Sequence, residues 1–428
     1  MEKLTFLLVF IFISRYLCKT IPDESMEIIT RHKYLSHIIS HLNRGMMIIL
    51  IGQRRVGKSF MLRQLHEWIN MNIQDAEVIY INKELLSFSD ITNALELYEY
   101  VSPRFKVGGN NYLLIDEVQD IEHYEDALRS LHAENLGQIV ATGSNAYIFS
   151  SELSTRLAGR YVEIPIYGLS YAEFLKFHNL ADSDEALKDY LRVGGLPGLR
   201  LYDIKDETQV GDYLQGVYNT IMMRDVVSRE KIRNVPFIEN LAKFIGDNIG
   251  KLISNNSIVK FMKSGGEKIS ESIVATYVSY LCKALIMNPV MRYDIHGKKL
   301  FELIFKYYFT DHGLRNYLTG FNLRGSIEKV IENVIYLHLL ACGYKVRVGI
   351  LRAGEVDFVA TKGDKTIYVQ ATYLLASEET IEREFGNMIG IKDNFPKYVV
   401  SMDPVTGSMA KYPGIKHLHL RKFLMTEL

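Results

Sequence analysis

MMIILIGQRRVGKSFMLRQL, residues 46–65, is an apolar strand, a glycine-bounded loop and the start of a helix. The loop has the spacing G-x-x-x-x-G-K-S, with Gly52, Gly57, Lys58 and Ser59 at its fixed positions. The glycines let backbone N–H groups turn inward around phosphate oxygens, and the helix that follows points its positive end at them. Lys58 would reach the outer phosphates of a nucleoside triphosphate, and the Ser59 hydroxyl would ligate magnesium. Residues Gly52, Gln53, Arg54, Arg55, Val56, Gly57, Lys58, Ser59 and Phe60 are therefore expected to hold ATP with Mg²⁺. A chance glycine-rich turn need not lie between a strand and a helix as this one does.

Working outward, NYLLIDEVQD (111–120) places an apolar run ahead of Asp116 and Glu117. An aspartate at such a strand end can hold magnesium through water, and the glutamate beside it can orient an attacking water. A lone Asp-Glu pair would more often cap the next helix; about sixty residues after a phosphate loop it reads as the hydrolytic pair. The next strand, GQIVATGSN (137–145), ends in Ser144 and Asn145, polar groups placed to sense a γ-phosphate. TRLAGR (155–160) then offers Arg156 and Arg160, which either stabilise transition-state charge, in their own site or a neighbour's, or are surface cations.

With GQRRVGKS, LLIDEVQ, ATGSN and LAGRYVEIPIYGLSYAEF (157–174), residues 26–428 resemble prokaryotic AAA-type ATPases of the archaeal-ATPase, STAND-like group. In that family a C-terminal domain of unknown function follows, similar to a winged helix and then a restriction-endonuclease-like fold. The resemblance implies an α/β chain: a P-loop parallel-sheet domain, a helical and winged-helix domain, and an α/β nuclease-like domain.

Composition bounds the rest. A chain of 428 residues with 48% apolar and 23% charged residues is ordinary for two or three globular domains. Lysine plus arginine equals aspartate plus glutamate at 50 each, so the whole chain has no electrostatic pull toward nucleic acid or acidic lipid. Cys18, Cys282 and Cys342 form neither a disulfide framework nor a zinc pattern, which fits a reducing, cytoplasmic setting. Residues 1–25 open with Lys3 and a short apolar run, laid out like a secretory signal but without a small-x-small cleavage site. The run is too short to span a membrane. Translation starting at Met26 is the other reading, with 1–25 a non-native extension.

The expected divisions are an ATPase core over 26–165, a helical lid and connector over 166–228, a winged-helix-like domain over 229–322 and a nuclease-like domain over 323–428. GGLPG (194–198) reads as a loop or hinge. Residues 229–322 carry 14 lysines and arginines against 8 acids. Three amphipathic helices there precede a hairpin about HGKK, with Ser270–Leu285 as recognition helix. That helix is poor in base-reading side chains, while Lys268, Lys298 and Lys299 are placed for phosphates. The module either lies on DNA or serves as a packing module between the ATPase and C-terminal domains; a protein partner and a homo-oligomer are further expected partners.

In the last domain a helix beginning at Ser326 precedes three strands, the second and third within GEVDFVATKGDKTIYVQATY (354–373). An active nuclease of the resembled fold presents a helix glutamate, a strand aspartate and a carboxylate-x-lysine. Glu332 and Asp357 match the first two positions, but Gln370 and Thr372 stand where the carboxylate and lysine belong. Lys362 and Lys365, at the far end of the hairpin, are about five residues away at ~3.3 Å each, beyond a lysine's reach. Glu332 and Asp357 are thus either a weak metal site or, with Gln370, a structural vestige, and the domain is expected to be hydrolytically silent. An ATP-regulated nuclease and a nucleotide-gated protein scaffold are the alternatives.

Overall fold

The computed structural model describes residues 29–145, 157, 159–264, 269–321, 323–352, 354–408 and 410–428. Arg156, Lys268 and the segment 1–25 lie outside them.

The first domain is a five-stranded parallel sheet of order β2-β3-β4-β1-β5. Its strands are β1 (Met47–Ile51), β2 (Ala76–Asn82), β3 (Asn110–Asp116), β4 (Gln138–Gly143) and β5 (Tyr161–Pro165). β1 and β4 are buried at every residue, as expected of strands covered on both faces. Alternate side chains go to alternate layers. Ile48, Leu50, Tyr112, Leu114 and Val140 pack under α1 (His32–His41) and α2 (Lys58–Asn72). Ile49, Ile51, Leu113, Ile115 and Ala141 pack under α3 (Ala94–Val101) and α4 (Tyr124–Ala133). β1 lies between β4 and β5, and the turn into α2 leaves its carboxyl end, in the crevice outside the carboxyl ends of the strands.

Helices α5 (Tyr171–Phe177), α6 (Asp184–Val193) and α7 (Glu207–Thr220) follow. Ser170 and Glu173 close a capping box on α5, and Ser183 and Asp206 cap α6 and α7. α7 continues as a π-helix over Ile221–Ser228. Then come α8 (Val235–Asp247), α9 (Asn255–Ser264) and α10 (Glu271–Lys283), the last capped by Ser270.

β6 (Met287–Asp294) and β7 (Lys299–Phe309) form the antiparallel hairpin read as a wing. It does not stand apart. β6 also pairs in parallel with β8 (Lys345–Ile350), so the hairpin is the edge of an eight-stranded sheet of order β12-β13-β11-β10-β9-β8-β6-β7. The expected boundary at 322/323 therefore lies between strands of one sheet, with β6 and β7 before it and β8 to β13 after it. The remaining strands are β9 (Glu355–Lys362), β10 (Lys365–Ala371), β11 (Lys397–Ser401), β12 (Gly407–Ser408) and β13 (Ile415–His419). α11 (His312–Leu318) and α12 (Ile327–Ala341) lie between β7 and β8, with α13 (Glu378–Ile389) and α14 (Leu420–Leu424) beyond. Ser326 precedes α12 without a side-chain cap bond to it, and its hydroxyl accepts from Arg315 Nη1 at 3.0 Å.

α11 ties the two halves together. Asp311 accepts the Gly195 N–H at 2.8 Å, and Asn316 donates to the Leu191 and Arg192 carbonyls at 2.8 and 3.0 Å. A side chain on Gly313 would overlap the Val193 carbonyl oxygen, so this approach of α11 to α6 requires glycine. No helix among the described residues is long and apolar enough to cross a membrane.

Candidate functional site

The turn between β1 and α2 takes its shape from two glycines. Gly57 has φ +100°, and a Cβ on Gly52 would overlap the Ile166 carbonyl oxygen. Lys58 is 4% exposed, and its Nζ donates to the Gly52 and Gln53 carbonyls at 2.9 and 3.0 Å. Burial lowers its pKa, with the Glu117 and Asp116 charges opposing. Gln53 is buried in the same loop, and neither of its amide atoms has a hydrogen-bond partner among the described residues.

Asp116 and Glu117 end β3 beside this loop. Asp116 is fully buried; Thr142 donates its hydroxyl to Oδ1 at 2.6 Å. The other oxygen, Oδ2, has no hydrogen-bond partner among the described residues. Burial raises the Asp116 pKa, with Thr142 and Ser59 hydroxyls opposing. A buried carboxylate oxygen without a partner, next to a serine hydroxyl, fits a hard divalent ion, and Ser59 with Asp116 would hold it. Glu117 sits in the left-handed region at φ +57°, strain of the kind that collects at working sites. Ser144 donates to its Oε2 at 2.9 Å, Gln119 donates to the same atom, and Lys58 Nζ is 4.0 Å from Oε1. Despite burial, the cations Lys58 and Arg54 hold the Glu117 carboxyl below its usual range. Asn145 is buried next along from Ser144.

Arg160 is not brought to this site. Its carbonyl accepts from Met47 N–H, at the start of β1, whereas the loop leaves the other end of that strand. An exposed Arg160 at that edge cannot serve its own chain's site.

Arg54 is among the expected loop residues, but its partner Asp225, and Arg31 on the outer wall, were not legible as site residues. Arg54 makes a two-pronged pair with Asp225 of the π-helix, Nε–Oδ2 2.6 Å and Nη2–Oδ1 3.1 Å, and stands 3.6 Å from Glu117. Arg31 donates to the Val56, Tyr167 and Gly168 carbonyls and to Glu173, fixing the outer wall. The GGLPG segment is part of the cleft: Pro197 and Gly198 line, with Gly57 and Lys58, a space of about 640 Å³ that Arg200, Tyr202 and Tyr213 also line. The glycine–proline punctuation was the only sequence signal for this.

The nuclease-like positions also come together, around a residue the strand-by-strand reading overlooked. Glu332 of α12 and Asp357 of β9 are joined by Glu355, and all three carboxylates meet Lys306 of β7. The expectation that no lysine reaches these acids is corrected, since it considered only the β9–β10 hairpin. Lys362, as expected, points away and donates to the Cys342 carbonyl at 2.7 Å. Gln370 accepts the Asp357 N–H at 3.2 Å and donates to Glu384 at 2.8 Å. Burial would lower the Lys306 pKa, but the three carboxylates raise it well above normal. Burial pushes Glu332 up to about 7, with Lys306 opposing. The signal for Lys306 was a lone lysine in the aromatic run FKYYF (305–309).

Fold and site together define a P-loop protein of the AAA class. Residues 44–175 match the AAA domain family, and residues 184–324 match a domain of unknown function (DUF8612). An uncharacterised protein of Haemophilus influenzae is 30% identical over 383 residues, covering 88% of this chain and 94% of that one. The chain belongs to the same family of AAA-domain proteins with a C-terminal region of unknown function. An uncharacterised protein of Methanocaldococcus jannaschii is 27% identical over 377 residues, covering 84% and 82% of the two chains. Among solved structures, the Aeropyrum pernix ORC1 protein in complex with DNA has a TM-score of 0.31 at 16% identity, covering 72% of this chain and 97% of that one. AMPPCP-bound DnaA from Aquifex aeolicus has a TM-score of 0.28 at 16% identity, covering 47% and 70%.

Proposed function

We propose that this chain is a cytoplasmic Mg²⁺-dependent ATPase whose nucleotide state repositions its helical and C-terminal domains on DNA. The carrying observation is the convergence of Lys58, the buried Asp116 with one free oxygen, and the strained Glu117 on one cleft. The Gly52–Phe60 loop would cradle the phosphates, with Lys58 leaving its loop carbonyls to meet them. Magnesium, held by Ser59 and Asp116, would neutralise phosphate charge. Glu117, kept ionised by its cationic neighbours, would orient the attacking water, and Ser144, which donates to Glu117, would with Asn145 sense the γ-phosphate.

The route outward runs through contacts that already bridge domains. Arg54 links the loop to the π-helix, and Asp311 with Asn316 links the lid to the sheet that contains β7. Lys243, Lys251, Lys260, Lys263, Lys298 and Lys299 are exposed on the basic segment and suit phosphate contacts without base reading. Arg160, and Arg156 outside the described residues, would serve a neighbouring copy in an oligomer. The test is ATP turnover by the purified chain with and without duplex DNA, beside gel retardation at rising salt. Turnover stimulated by DNA, with salt-sensitive retardation, is expected. Turnover indifferent to DNA, with no retardation, would leave a protein-binding scaffold in its place.

A further inference from the structure

Lys306 lies on β7 between aromatic neighbours and is 3% exposed. Its ammonium stands 3.0 Å from Glu332 Oε1, 2.6 Å from Glu355 Oε1 and 3.2 Å from Asp357 Oδ1. Tyr308 donates its hydroxyl to Glu332 Oε1 at 2.5 Å, and the second Asp357 oxygen accepts the Ala371 N–H at 3.0 Å. Gln370 has both ends of its amide committed, to Asp357 N–H and to Glu384. The cluster is also roofed. Gly250, in the turn between α8 and α9 at φ +74°, lies so close that a Cβ would overlap Glu332 Oε2. That turn is strapped down by Lys329, which donates to the Asp247 carbonyl, and by Ile253, which pairs with Phe305 next to Lys306.

Three carboxylates gathered in a poorly solvated place require a cation, since isolated buried charges are costly. An ammonium and a divalent ion cannot both answer. An ion bound by these oxygens would sit ~2.1 Å from them, in the space the ammonium holds, and like charges that close repel strongly at low dielectric.

We infer that Lys306 is the resident cation of this centre: its ammonium fills the position a divalent ion would take between Glu332, Glu355 and Asp357. The centre is then a metal-free clasp that fastens β7 to α12 and β9 under the α8–α9 turn. The nuclease-like domain is silent because its metal position is filled from within, not because a lysine is missing. None of these residues lines the P-loop cleft, so the inference stands or falls separately from ATP hydrolysis.

Mn²⁺ binding to the nucleotide-free full-length protein, read from the electron paramagnetic resonance of free ion, tests this. The parent is expected to show no Mn²⁺ binding that Asp357→Asn removes. Lys306→Met should gain a single Mn²⁺ per chain, lost again in Lys306→Met/Asp357→Asn. Parental Mn²⁺ binding abolished by Asp357→Asn would overturn the inference, as would a folded Lys306→Met that gains none. Should Lys306→Met fail to fold, acetylation of the native parent by an amine-reactive ester, mapped by peptide mass spectrometry, decides instead. Lys306 protected with and without Mn²⁺ supports the clasp, and Lys306 labelled when Mn²⁺ is added refutes it.

Discussion

Replacing Asp225 by alanine would strand a buried guanidinium. Asp225 is 1% exposed and Arg54 6%, and their two hydrogen bonds of 2.6 and 3.1 Å are parallel and charge-assisted. Removing one member of such a pair costs about 3–5 kcal/mol, because the survivor remains desolvated and uncompensated. Here Glu84 at 3.7 Å and Glu117 at 3.6 Å stay near Arg54, which places Asp225→Ala near the lower end, about 3 kcal/mol. Arg54 would then lean on Glu117, the carboxylate proposed to orient water, so turnover should fall about tenfold, equivalent to roughly 1.4 kcal/mol of barrier. Arg54→Ala leaves Asp225 buried alone and should cost a similar amount, whereas the double variant leaves neither charge. The cycle should therefore show a coupling of about 1–3 kcal/mol. The chain has a single tryptophan, Trp68, on α2 directly after the loop, so urea unfolding followed by its fluorescence reports this domain. Losses that add within ~0.5 kcal/mol would refute the reasoning, as would Asp225→Ala at parental stability.

Lys58→Ala should abolish tight ATP binding, and Glu117→Gln should retain binding while turnover falls at least ~100-fold, both measured by nucleotide titration and phosphate release. Gly313→Ala should cost about 1–3 kcal/mol, since its methyl meets the fixed Val193 carbonyl at the α6–α11 contact, and unchanged thermal stability would count against that packing. Burial lowers the His338 pKa to about 4, below the ordinary ~6.5. A depressed histidine contributes stability that is present above pH ~6.5 and lost as pH falls toward 4, by up to ~3 kcal/mol. His338→Gln should flatten that part of the acid limb in urea titrations run from pH 7 to 4. Plasmid DNA incubated with the protein, ATP and Mg²⁺ should stay intact, and Asp357→Ala should make no difference; cleavage lost in Asp357→Ala would restore the nuclease reading.

What could be read in the sequence was what chemistry forces to be contiguous. A phosphate cradle needs its glycines, lysine and serine within one strand–loop–helix, so Gly52 to Ser59 could be read directly, and Asp116 and Glu117 followed from one apolar run. GGLPG gave only a hinge, because its meaning depends on approaching Gly57 across 140 residues of chain. The Arg54–Asp225 pair hid for the same reason. The acid cluster is the sharper case. The argument that Lys362 and Lys365 cannot reach Asp357 was sound strand geometry, yet it missed a third lysine, because the hairpin taken for a separate wing joins the same sheet and delivers Lys306. The pairing of β6 with β8 thus carries one sheet across the expected boundary and supplies the cation together. Matching Glu332 and Asp357 to a nuclease pattern established only that a positive charge must sit between them. Whether that charge is a metal that activates water or an ammonium that does not depends on which strand lies beside β8, and no local motif encodes that.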